Sequence, residues 1–529
     1  MPELTGGQAA VRALIKSGIK QVYGLPGVQN DWLYNAFYDY RDEIKVLHTR
    51  HEQGAGYMAL GHYLATGEHA VYNIVPGPGF LNSTGALSTA WGLNAKVLCL
   101  VGQIPKKVQG KNLGVLHEIP DQMGIMERLT KWSAKVDSPS EAPTKIAQAF
   151  SQLETGRPRP VGIEIPMDVL SDTEDVSFDN FSVNGESISI DDESLSNAVE
   201  LIKNAKNPLV FVAGGAMHAS AEVIEFVEHL QSPVFAYRTG KGIVPSSHYL
   251  SYPVPAAHSL WADCDLCIAI GSHARMPLLK WGQDDKLKFL SINIDGDAHN
   301  RMRKADVAIT ADSKEALTQL NTKIKEAFDP RPSIEKEMVT FDKSWKEQTA
   351  YLEPQASYLK LIREELPADG IFVDELTQVG FASRIVWDTD QPRTYLCTGH
   401  MGTLGWGFQT ALGAKAACPD KMVISVAGDG GFMFGVQELA TAVQHKLGVI
   451  VLLFNNNLFG NVRSMQENLY DNRVIATDLH NPDFVKMAHS FGAHSTRVHD
   501  MDELRQAIRD AKGQELPTVI EIPVGNDWP

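Results

Sequence analysis

The sequence predicts an α/β protein made of three doubly wound parallel-sheet domains. Short runs rich in Val, Ile and Leu recur along its 529 residues, and patterns typical of helices separate them. Strands covered on both faces show such continuous apolar runs, and strands that alternate with helices form parallel sheets. Because a chain of this length exceeds what one hydrophobic core organises, we expect several domains.

The candidate strands fall into three groups along the chain. They are VLCLVG (97–102), VGIEIP (161–166), LVFVAGG (209–215), LCIAIGS (266–272), VISVAGDG (423–430) and VIVLLFNN (449–456). Two segments between the groups are predicted as linkers: residues 170–194 are acidic and rich in Ser and Asn, and residues 328–350 begin with FDPRPS. The predicted domains are therefore 1–168, 190–328 and 352–529, each of ordinary size for an α/β fold.

The composition favours a soluble cytoplasmic enzyme and argues against several other classes. Lys and Arg number 48 against 64 Asp and Glu, and the formal net charge of −16 disfavours binding to nucleic-acid phosphates. No apolar run approaches the roughly 20 residues that span a bilayer, so no membrane partner is expected. The first residues, MPELTGGQAAVRALIKSG, lack the features of a secretion signal. Five cysteines are too few for a disulfide scaffold, so we expect a reducing compartment.

The most informative segment, residues 427–462, predicts a site for a phosphate and a divalent cation. A strand leads into Gly428–Gly431 at the carboxyl edge of a sheet, where open α/β folds bind ligands. Glycines let the backbone approach a phosphate, but Asp429 repels it unless a cation such as Mg²⁺ bridges the two. The next strand ends at Asn455 and Asn456, and Asn456 follows Asp429 by 27 residues. A GDG turn alone is most often an ordinary tight turn, and its pairing with the two Asn residues makes the signal specific.

This segment resembles the signature of thiamine diphosphate enzymes, in which GDG is followed after 24 residues by NN. Three further stretches extend the resemblance to the acetolactate synthase, pyruvate decarboxylase and benzoylformate decarboxylase superfamily. They are HEQGAGYMA (51–59), VPGPGFLNSTGALSTAW (75–91) and TGHMGTLGWGFQTALGA (398–414). The resemblance implies Mg²⁺ ligands, namely the side chains of Asp429 and Asn456 and the carbonyl of Leu458. It also implies diphosphate contacts from the backbone of Gly430 and Gly431.

The resemblance also assigns residues to the rings of the coenzyme. Glu52 is implied to hydrogen-bond the aminopyrimidine N1′ and so to favour the imino tautomer that removes the proton from C2. The Gly402 carbonyl is implied to accept from the 4′-amino group, and Leu404 to wedge the coenzyme into its bent form. Three further residues are assigned to cofactor binding: Pro26 and Gly27 of the GLPGVQN turn (24–30), and Gln378 beside the diphosphate.

The predicted substrate pocket departs from the relatives that this chain resembles. Val28 stands where pyruvate decarboxylases carry Asp and benzoylformate decarboxylase carries Ser, and a Val cannot relay protons. Leu116 and His117 align with a Phe and a Gln of the synthases, and a His can move a proton near neutral pH. His117 is therefore the second catalytic candidate, with a satisfied surface histidine as the alternative. Other residues predicted at the pocket are Asn461, Val462 and Met465, where Met465 replaces a synthase Trp, and weaker candidates are Lys131, His48, His51 and His400.

The middle domain raises the question of a second cofactor. Acetolactate synthases bind a structural FAD there through a GGG turn and an Arg at a strand end. This chain instead reads AGGAM (213–217) and carries His273 at the Arg position, so we expect no FAD. Cys264 and Cys267 have CxxC spacing, but they stand without a second pair at the start of a buried strand. Core packing is therefore expected of them rather than metal binding.

The resemblance implies a 2-oxo acid substrate that loses CO₂ and leaves an enamine on C2 of the coenzyme. Transfer of that fragment to a second carbonyl, by an acetolactate synthase-like carboligase, is the predicted outcome. A decarboxylase that releases an aldehyde and an enzyme that hydrolyses a C–C bond of a diketone are the alternatives. A non-catalytic paralogue is disfavoured because Glu52, Asp429 and Asn456 are all present. In this family the pyrimidine domain of one subunit faces the diphosphate domain of another, so a homodimer is the minimum and a homotetramer is expected.

Overall fold

The computed structural model describes residues 2–186 and 188–525. Residue 187, within the first predicted linker, and residues 526–529, at the end of the third predicted domain, lie outside the described residues. The described chain forms two compact units. The first unit comprises residues 2–186, 371–377 and 398–525, and the second comprises residues 188–370 and 378–397.

Strands and helices alternate along most of the chain. The strands are β1 Glu3–Thr5, β2 Gln21–Gly24, β3 Lys45–His48, β4 Ala70–Ile74, β5 Val97–Gln103, β6 Trp132–Lys135, β7 Val161–Pro166, β8 Thr173–Asp175, β9 Pro208–Val212, β10 Val234–Ala236, β11 Ser251–Pro253, β12 Leu266–Ile270, β13 Lys288–Asn293, β14 Val307–Thr310, β15 Ile371–Val373, β16 Tyr395–Leu396, β17 Val423–Gly428, β18 Ile450–Asn455, β19 His494–Arg497 and β20 Thr518–Pro523. The helices are α1 Gly6–Lys16, α2 Asp31–Asp39, α3 Glu52–Thr66, α4 Pro78–Gly92, α5 Gln122–Leu129, α6 Ala142–Glu154, α7 Met167–Ser171, α8 Asp192–Asn204, α9 Ser220–Leu230, α10 Arg275–Lys280, α11 Ala298–Arg301, α12 Ser313–Ala327, α13 Glu335–Gln348, α14 Gln355–Glu365, α15 Gln378–Val386, α16 Trp406–Ala417, α17 Asp429–Phe432, α18 Glu438–Gln444, α19 Gly460–Leu469, α20 Phe484–Ser490 and α21 Met501–Ala511. Across the described ranges, a helix with the length and apolar character needed to span a membrane does not occur.

The first sheet belongs to the first unit and has the strand order β3-β2-β4-β5-β7-β6, with parallel neighbours throughout. The strand β4 reads AVYNI and is buried along its whole length, as expected of a strand with helices on both faces. From β2 the chain continues to β3, at one edge of the sheet, and then to β4, which lies on the other side of β2. The loops after these two strands, at residues 25–30 and 75–79, therefore flank the point where an α/β sheet binds ligands.

The first predicted linker is partly structured. Strand β8 pairs antiparallel with β1, with Leu4 opposite Glu174, and helix α8 begins at Asp192 inside the same predicted segment. The acidic, Ser-rich composition gave no sign of this strand, because its partner is the start of the chain and its three residues are too few for a pattern. The two strands form a small sheet of their own that lies within the first unit and continues past residue 168.

The second unit holds the second sheet, with the order β11-β10-β9-β12-β13-β14 and parallel neighbours throughout. Cys264 and Cys267 lie buried at the start of β12, where core packing was predicted. The turns after β9 and β12 touch: the Gly215 N–H donates to the Gly271 carbonyl oxygen at 3.2 Å. A Cβ on Gly215 would lie 2.7 Å from the Gly271 Cα, so this approach requires glycine.

The third sheet places strands β15, β17, β18, β20 and β19 side by side in that order, all parallel. Its helix α16 packs on helix α3 of the first sheet within the same unit. A Cβ on Gly61 would overlap the Thr410 carbonyl oxygen, and a Cβ on Gly413 would overlap the Met58 carbonyl oxygen. Glycine on each helix therefore allows the two backbones to meet. The three parallel sheets with flanking helices confirm the predicted fold class.

Candidate active site

Two adjacent parallel strands carry the predicted metal ligands to one edge of the third sheet. Strand β17 ends at Gly428, which pairs in register with Phe454 of β18. The next residues along the two strands are Asp429 and Asn455, so their backbones stand about one strand spacing (~4.8 Å) apart. Asp429 is buried, and burial raises the pKa of its carboxyl. A buried carboxylate keeps its charge only with a cation or hydrogen-bond donors beside it.

Asn481, which was not among the predicted site residues, supplies such a donor. Its Nδ2 donates to Asp429 Oδ2 at 2.6 Å and lies 3.1 Å from both Asn455 Oδ1 and Asn457 Oδ1. One amide thus ties together the loop after β17, the loop after β18 and the segment before α20. Sequence gave no signal, because the HNP stretch around Asn481 reads as an ordinary turn and only the fold returns it to Asp429.

The loop after β18 is held in a defined conformation. Asn456 Oδ1 accepts from the Leu458 N–H at 3.2 Å, and Asn457 adopts the left-handed region with φ of 56°. The Leu479 N–H donates to the Asn457 carbonyl oxygen at 2.8 Å. Among the described residues, no group of three or more His, Cys, Asp or Glu could hold a metal ion. One carboxylate with neutral amide and carbonyl oxygens instead fits Mg²⁺, which takes few protein ligands when phosphate oxygens also bind it.

Glycines allow a second turn to approach this edge. Gly405 has φ of 75°, which L side chains rarely adopt, and a Cβ there would lie 3.0 Å from the Gly431 carbonyl oxygen. A Cβ on Gly430 would lie 2.6 Å from the Phe459 ring. The turn at residues 398–405 therefore lies directly against the glycine pair that was predicted to bind diphosphate.

A buried carboxyl group, Glu375, supports that turn and was also missed. Its Oε2 accepts from the Gly407 N–H at 2.9 Å. Burial, with a smaller contribution from the charge of Asp374, raises the pKa of Glu375 to about 8. Within the supported turn, Gly402 is exposed with φ of 60° and Leu404 is half-buried, so both remain accessible to a bound molecule.

Glu52 is the first residue of α3 and is half-buried. Its Oε2 accepts from Asn82 Nδ2 at 3.1 Å, and a Cβ on Gly79 would lie 3.4 Å from its Oε1. The first sheet thus brings Glu52 against the VPGPGFLN stretch, although the two segments are far apart in sequence. The start of a helix also favours a negative charge, because its unpaired N–H groups are positive.

His117 is tied to the turn at residues 24–30. Gln29 donates from Nε2 to the Leu116 carbonyl oxygen at 3.0 Å, and His117 Nδ1 lies 2.8 Å from Gln29 Oε1. Because an amide oxygen only accepts, this hydrogen bond places a proton on Nδ1 and leaves Nε2 outside the contact. A Cβ on Gly77 would overlap the His117 carbonyl oxygen, so this segment also lies against the turn before α4.

The other predicted residues of this turn surround the same place. Pro26 precedes Gly27, whose N–H donates to Asn30 Oδ1 at 2.7 Å and so closes the turn. Val28 is 54% exposed and Leu116 is 60% exposed. The structure therefore brings Pro26, Gly27, Val28, Leu116 and His117 to one side of the first sheet.

Helix α19 carries the remaining predicted pocket residues. Asn461, Val462 and Met465 are all exposed, and Met465 is half accessible at 50%. Arg463 fixes the helix through Glu467 at 2.8 Å and Asp478 at 2.6 Å. The predicted face of α19 is thus ordered and uncovered in a single chain.

Two predicted positions have other surroundings. Lys131, aligned with a pocket Lys of the synthases, donates from Nζ to the carbonyl oxygens of Thr155 at 2.6 Å and Arg157 at 3.0 Å. These bonds give it a structural role at the start of β6. Gln378 begins α15 and belongs to the second unit, so its place beside a diphosphate stays a prediction.

The three weaker histidine candidates also have local partners or exposed positions. The His48 ring packs edge-on against the His445 ring with centroids 5.0 Å apart. His51 is the N-cap of α3, and its Nδ1 accepts from the Gln53 N–H at 3.1 Å. His400 is exposed in the turn before Gly402.

The fold and the comparisons with known proteins identify a thiamine diphosphate-dependent enzyme. Three family models agree: "Thiamine pyrophosphate enzyme, N-terminal TPP binding domain" matches residues 4–125, the corresponding central domain matches residues 195–320, and the C-terminal TPP binding domain matches residues 377–522. The chain belongs to the thiamine pyrophosphate enzyme family.

Relatives within the family carry different activities in their names. A probable 2-ketoarginine decarboxylase of Pseudomonas aeruginosa is 31% identical over 98% of this chain and 94% of that protein. A probable acetolactate synthase large subunit of Methanocaldococcus jannaschii is 30% identical over 98% of this chain and 92% of that protein. A thiamine diphosphate-dependent 4-hydroxybenzoylformate decarboxylase of Rhodococcus jostii shares the fold, with a TM-score of 0.85 at 22% identity over 99% of this chain and 100% of that one.

Proposed function

We propose that this protein uses thiamine diphosphate and Mg²⁺ to remove CO₂ from a 2-oxo acid. When bound, the coenzyme supplies the electron sink that decarboxylation requires. Family membership and the oxygen-rich cluster around Asp429 support the proposal. The side chains of Asp429 and Asn456 and the Leu458 carbonyl would hold Mg²⁺, and the backbone of Gly430 and Gly431 would hold the diphosphate.

The remaining cofactor contacts would come from both sheets of the first unit. Glu52 would hold a proton at the pyrimidine N1′, and the Gly402 carbonyl would accept from the 4′-amino group. Leu404, half-buried two residues after Gly402, would support the bent form of the coenzyme. Pro26 and Gly27 complete the proposed contacts of this unit, and the role of Gln378 beside the diphosphate stays a prediction from the resemblance.

The proposed product of the reaction is inferred from the hydrogen bond between His117 and Gln29. This bond orients the imidazole through Nδ1 and leaves Nε2 for proton transfer, the usual role of a histidine in acid–base catalysis. Val28 and Leu116, which lie on the same side of the sheet, offer no proton. Because a proton donor favours protonation of the fragment left after CO₂ loss, we propose release of an aldehyde rather than the carboligation expected from sequence.

Carboligation remains the second candidate, and the relatives favour it. Seven of the similar proteins are named acetolactate synthases or their large subunits. In that case His117, with a proton on Nε2, would donate to the carbonyl oxygen of a second substrate instead of protonating the fragment left after CO₂ loss.

The substrate's side chain is proposed to be uncharged. The accessible side chains predicted at the pocket are apolar at four positions: Val28, Leu116, Val462 and Met465. Removing a charged group from water beside them without a partner would be costly. Binding would therefore favour an aliphatic or aromatic 2-oxo acid over one with a guanidinium or a second carboxylate.

A panel of 2-oxo acids tests the proposal. The full chain, supplied with thiamine diphosphate and Mg²⁺, is incubated with each acid while CO₂, aldehyde and hydroxy ketone are measured together. We expect aldehyde to match CO₂ and uncharged acids to react fastest. A hydroxy ketone formed in step with CO₂, without free aldehyde, would replace this outcome with carboligation. Absence of CO₂ release across the panel would reject decarboxylation.

We also propose that the active assembly is a homodimer at minimum and a homotetramer as the usual form. Helix α19 and the segment after it expose Val462, Met465, Leu469, Tyr470 and Ile475, each at least 49% accessible. A patch of this kind on an ordered surface indicates a protein interface. Light scattering on the full chain would measure the oligomeric state. A monomer with full activity would exclude a site shared between subunits.

The middle domain is proposed to carry no FAD. Open α/β sheets bind dinucleotides in the crevice where the strand order reverses, which here lies between β9 and β12. The Gly215 N–H, in the turn after β9, already donates to the Gly271 carbonyl oxygen and so is not available to a diphosphate there. The purified protein should therefore lack flavin absorbance in the visible range, and a flavin spectrum would overturn the proposal.

A further inference from the structure

Glu438 is a fully buried carboxylate at the start of α18 whose hydrogen bonds reach the first sheet's layer. Its Oε1 accepts from the His51 N–H at 3.0 Å and the Arg50 N–H at 3.2 Å, and its Oε2 lies 3.0 Å from the same Arg50 nitrogen. The Thr441 hydroxyl donates to Oε2 at 2.5 Å. Burial raises the pKa of Glu438, and the backbone and hydroxyl donors offset part of the cost of burying its charge.

The two backbone donors immediately precede Glu52. The first N–H groups of a helix have no intrahelical acceptor and carry partial positive charge. The N-cap His51 supplies only a ring nitrogen, which accepts from the Gln53 N–H. A carboxylate forms a stronger hydrogen bond to an N–H group than a neutral acceptor does. Glu438 therefore fixes the backbone at the point where α3 begins.

The sequence around Glu52 is built to admit this carboxylate. A Cβ on Gly54 would lie 2.6 Å from Glu438 Oε1, so a larger residue there would displace it. At the other end of α18, His445 Nε2 lies 3.2 Å from the His48 carbonyl oxygen. Contacts from α18 and the residue after it thus extend along residues 48–54, a stretch that includes Glu52.

We infer that Glu438 is a positioning residue for Glu52. The inference rests on the proposed function, in which Glu52 holds the proton at the pyrimidine N1′. The side-chain bond from Asn82 orients the Glu52 carboxylate but leaves its backbone to be fixed by other groups. Glu438 does this through the N–H groups of Arg50 and His51. A displacement of a reacting group by about 1 Å can lower a rate about a hundredfold, which is the effect expected when this support is lost.

The substitution Glu438→Gln tests the inference with little change in shape. It removes the charge and replaces one accepting oxygen with an NH₂ group that cannot accept from Arg50, His51 or Thr441. In the full chain loaded with thiamine diphosphate and Mg²⁺, the exchange of the C2 proton for deuterium should slow about tenfold to a hundredfold. The affinity for the coenzyme should stay within about twofold, because the diphosphate and metal ligands are unchanged.

A second readout does not depend on the coenzyme. Backbone amide exchange, followed by mass spectrometry on the protein alone, should be faster in the Glu438→Gln variant for the peptide that covers residues 48–54. Thr441→Val keeps the charge and removes one donor, so C2 exchange should slow by only about two- to tenfold. Asp500→Asn is the matched control, since Asp500 caps α21 by accepting from the Glu503 N–H at 2.8 Å and lies in the same unit.

The outcomes separate this inference from the proposed function. If Glu438→Gln exchanges the C2 proton at the wild-type rate while Glu52→Gln does not, the inference fails and the role of Glu52 stands. If Glu52→Gln itself retains the wild-type rate, the proposed activation role fails first. Slower C2 exchange with an equal loss of coenzyme affinity would show general damage and also overturn positioning. Should Glu438→Gln fail to fold, an unchanged rate in Thr441→Val would overturn the inference.

Discussion

The cofactor edge of the third sheet and the substrate end of the first sheet are built in opposite ways. We define the cofactor edge by Asp429, residues 455–458 and Asn481, and the substrate end by residues 24–30 and 116–117. At the cofactor edge Asp429 is buried, and the Asn481 amide ties three loops together. At the substrate end, Val28 and Leu116 are more than half exposed, at 54% and 60%.

The difference follows from what each region has to recognise. A cation and a diphosphate are the same in every turnover and need preorganised oxygens and N–H groups, so a rigid buried cluster suits them. A substrate side chain differs between enzymes that share a fold, and exposed residues can change without disturbing a core. The chain therefore shows its coenzyme class plainly, whereas its substrate depends on side chains with few fixed partners.

The largest expected effect comes from Glu52, which is proposed to serve the coenzyme and begins helix α3 beside the first sheet. Glu52→Gln should lower turnover about a hundredfold to ten-thousandfold, because an amide cannot hold and return the proton at N1′. Affinity for Mg²⁺ should be unchanged, as measured by activity titration. Glu68→Gln is the control, since Glu68 follows the same helix and its side chain is 80% exposed. Unchanged turnover in Glu52→Gln would remove Glu52 from the mechanism.

A substitution at the substrate end should change the product more than the coenzyme. His117→Gln keeps a hydrogen-bonding side chain but removes the ring nitrogen that moves a proton, so aldehyde formation should fall about a hundredfold. Hydroxy ketone should rise as a share of the products, measured by chromatography beside CO₂ release. His499→Gln, at an exposed position after β19, should leave the product ratio unchanged. An unaltered ratio in His117→Gln would assign proton delivery to another group.

A substitution at the cofactor edge should instead change metal binding and leave the product ratio as it is. Asn481→Ala removes the amide that orients Asp429 and should weaken Mg²⁺ binding about 10- to 100-fold, the usual cost of losing a group that holds a metal ligand. At saturating Mg²⁺ the product ratio should equal that of the wild type. Asn204→Ala, at the exposed end of α8, serves as the control. A changed product ratio at saturating Mg²⁺ would show that the two regions are not independent.

Local sequence patterns predicted most of the fold and the backbone of the cofactor edge. The apolar runs at 97–102 and 423–430 became β5 and β17, because a strand buried on both faces has a composition of its own. Asp429 and Asn456 could be found because two short motifs at a fixed spacing carry them. Strand β8 could not be found, since among the described residues it pairs with β1, at the start of the chain.

The residues that sequence missed act through distant partners. Asn481 reaches Asp429, Gln29 reaches His117, and Glu438 reaches Arg50 and His51, each across a long stretch of chain. An isolated Asn, Gln or Glu has no periodicity that marks it, and its importance comes from burial and from the donors that the fold brings to it. Charged residues that are fully buried, such as Glu438, become visible only in three dimensions.

The smallest expected effect concerns stability beside the cofactor edge, where Glu375 supports the turn at 398–405. Burial raises the pKa of Glu375 to about 8, well above the ordinary value of 4.5 for a glutamate carboxyl. The folded state therefore binds a proton that the unfolded state releases, so the stability from the protonated group is fully present below pH 4.5 and is lost as the pH rises toward 8. Glu375→Gln mimics the protonated acid and can still accept from the Gly407 N–H. The melting temperature of Glu375→Gln, relative to that of the wild type, should therefore rise as the pH increases from about 5 to about 8, as measured by calorimetry. The exposed Glu127→Gln should show no such gain. A constant difference between Glu375→Gln and the wild type across this range would mean that Glu375 ionises without cost, and the cofactor edge would then be more open to water than its burial indicates.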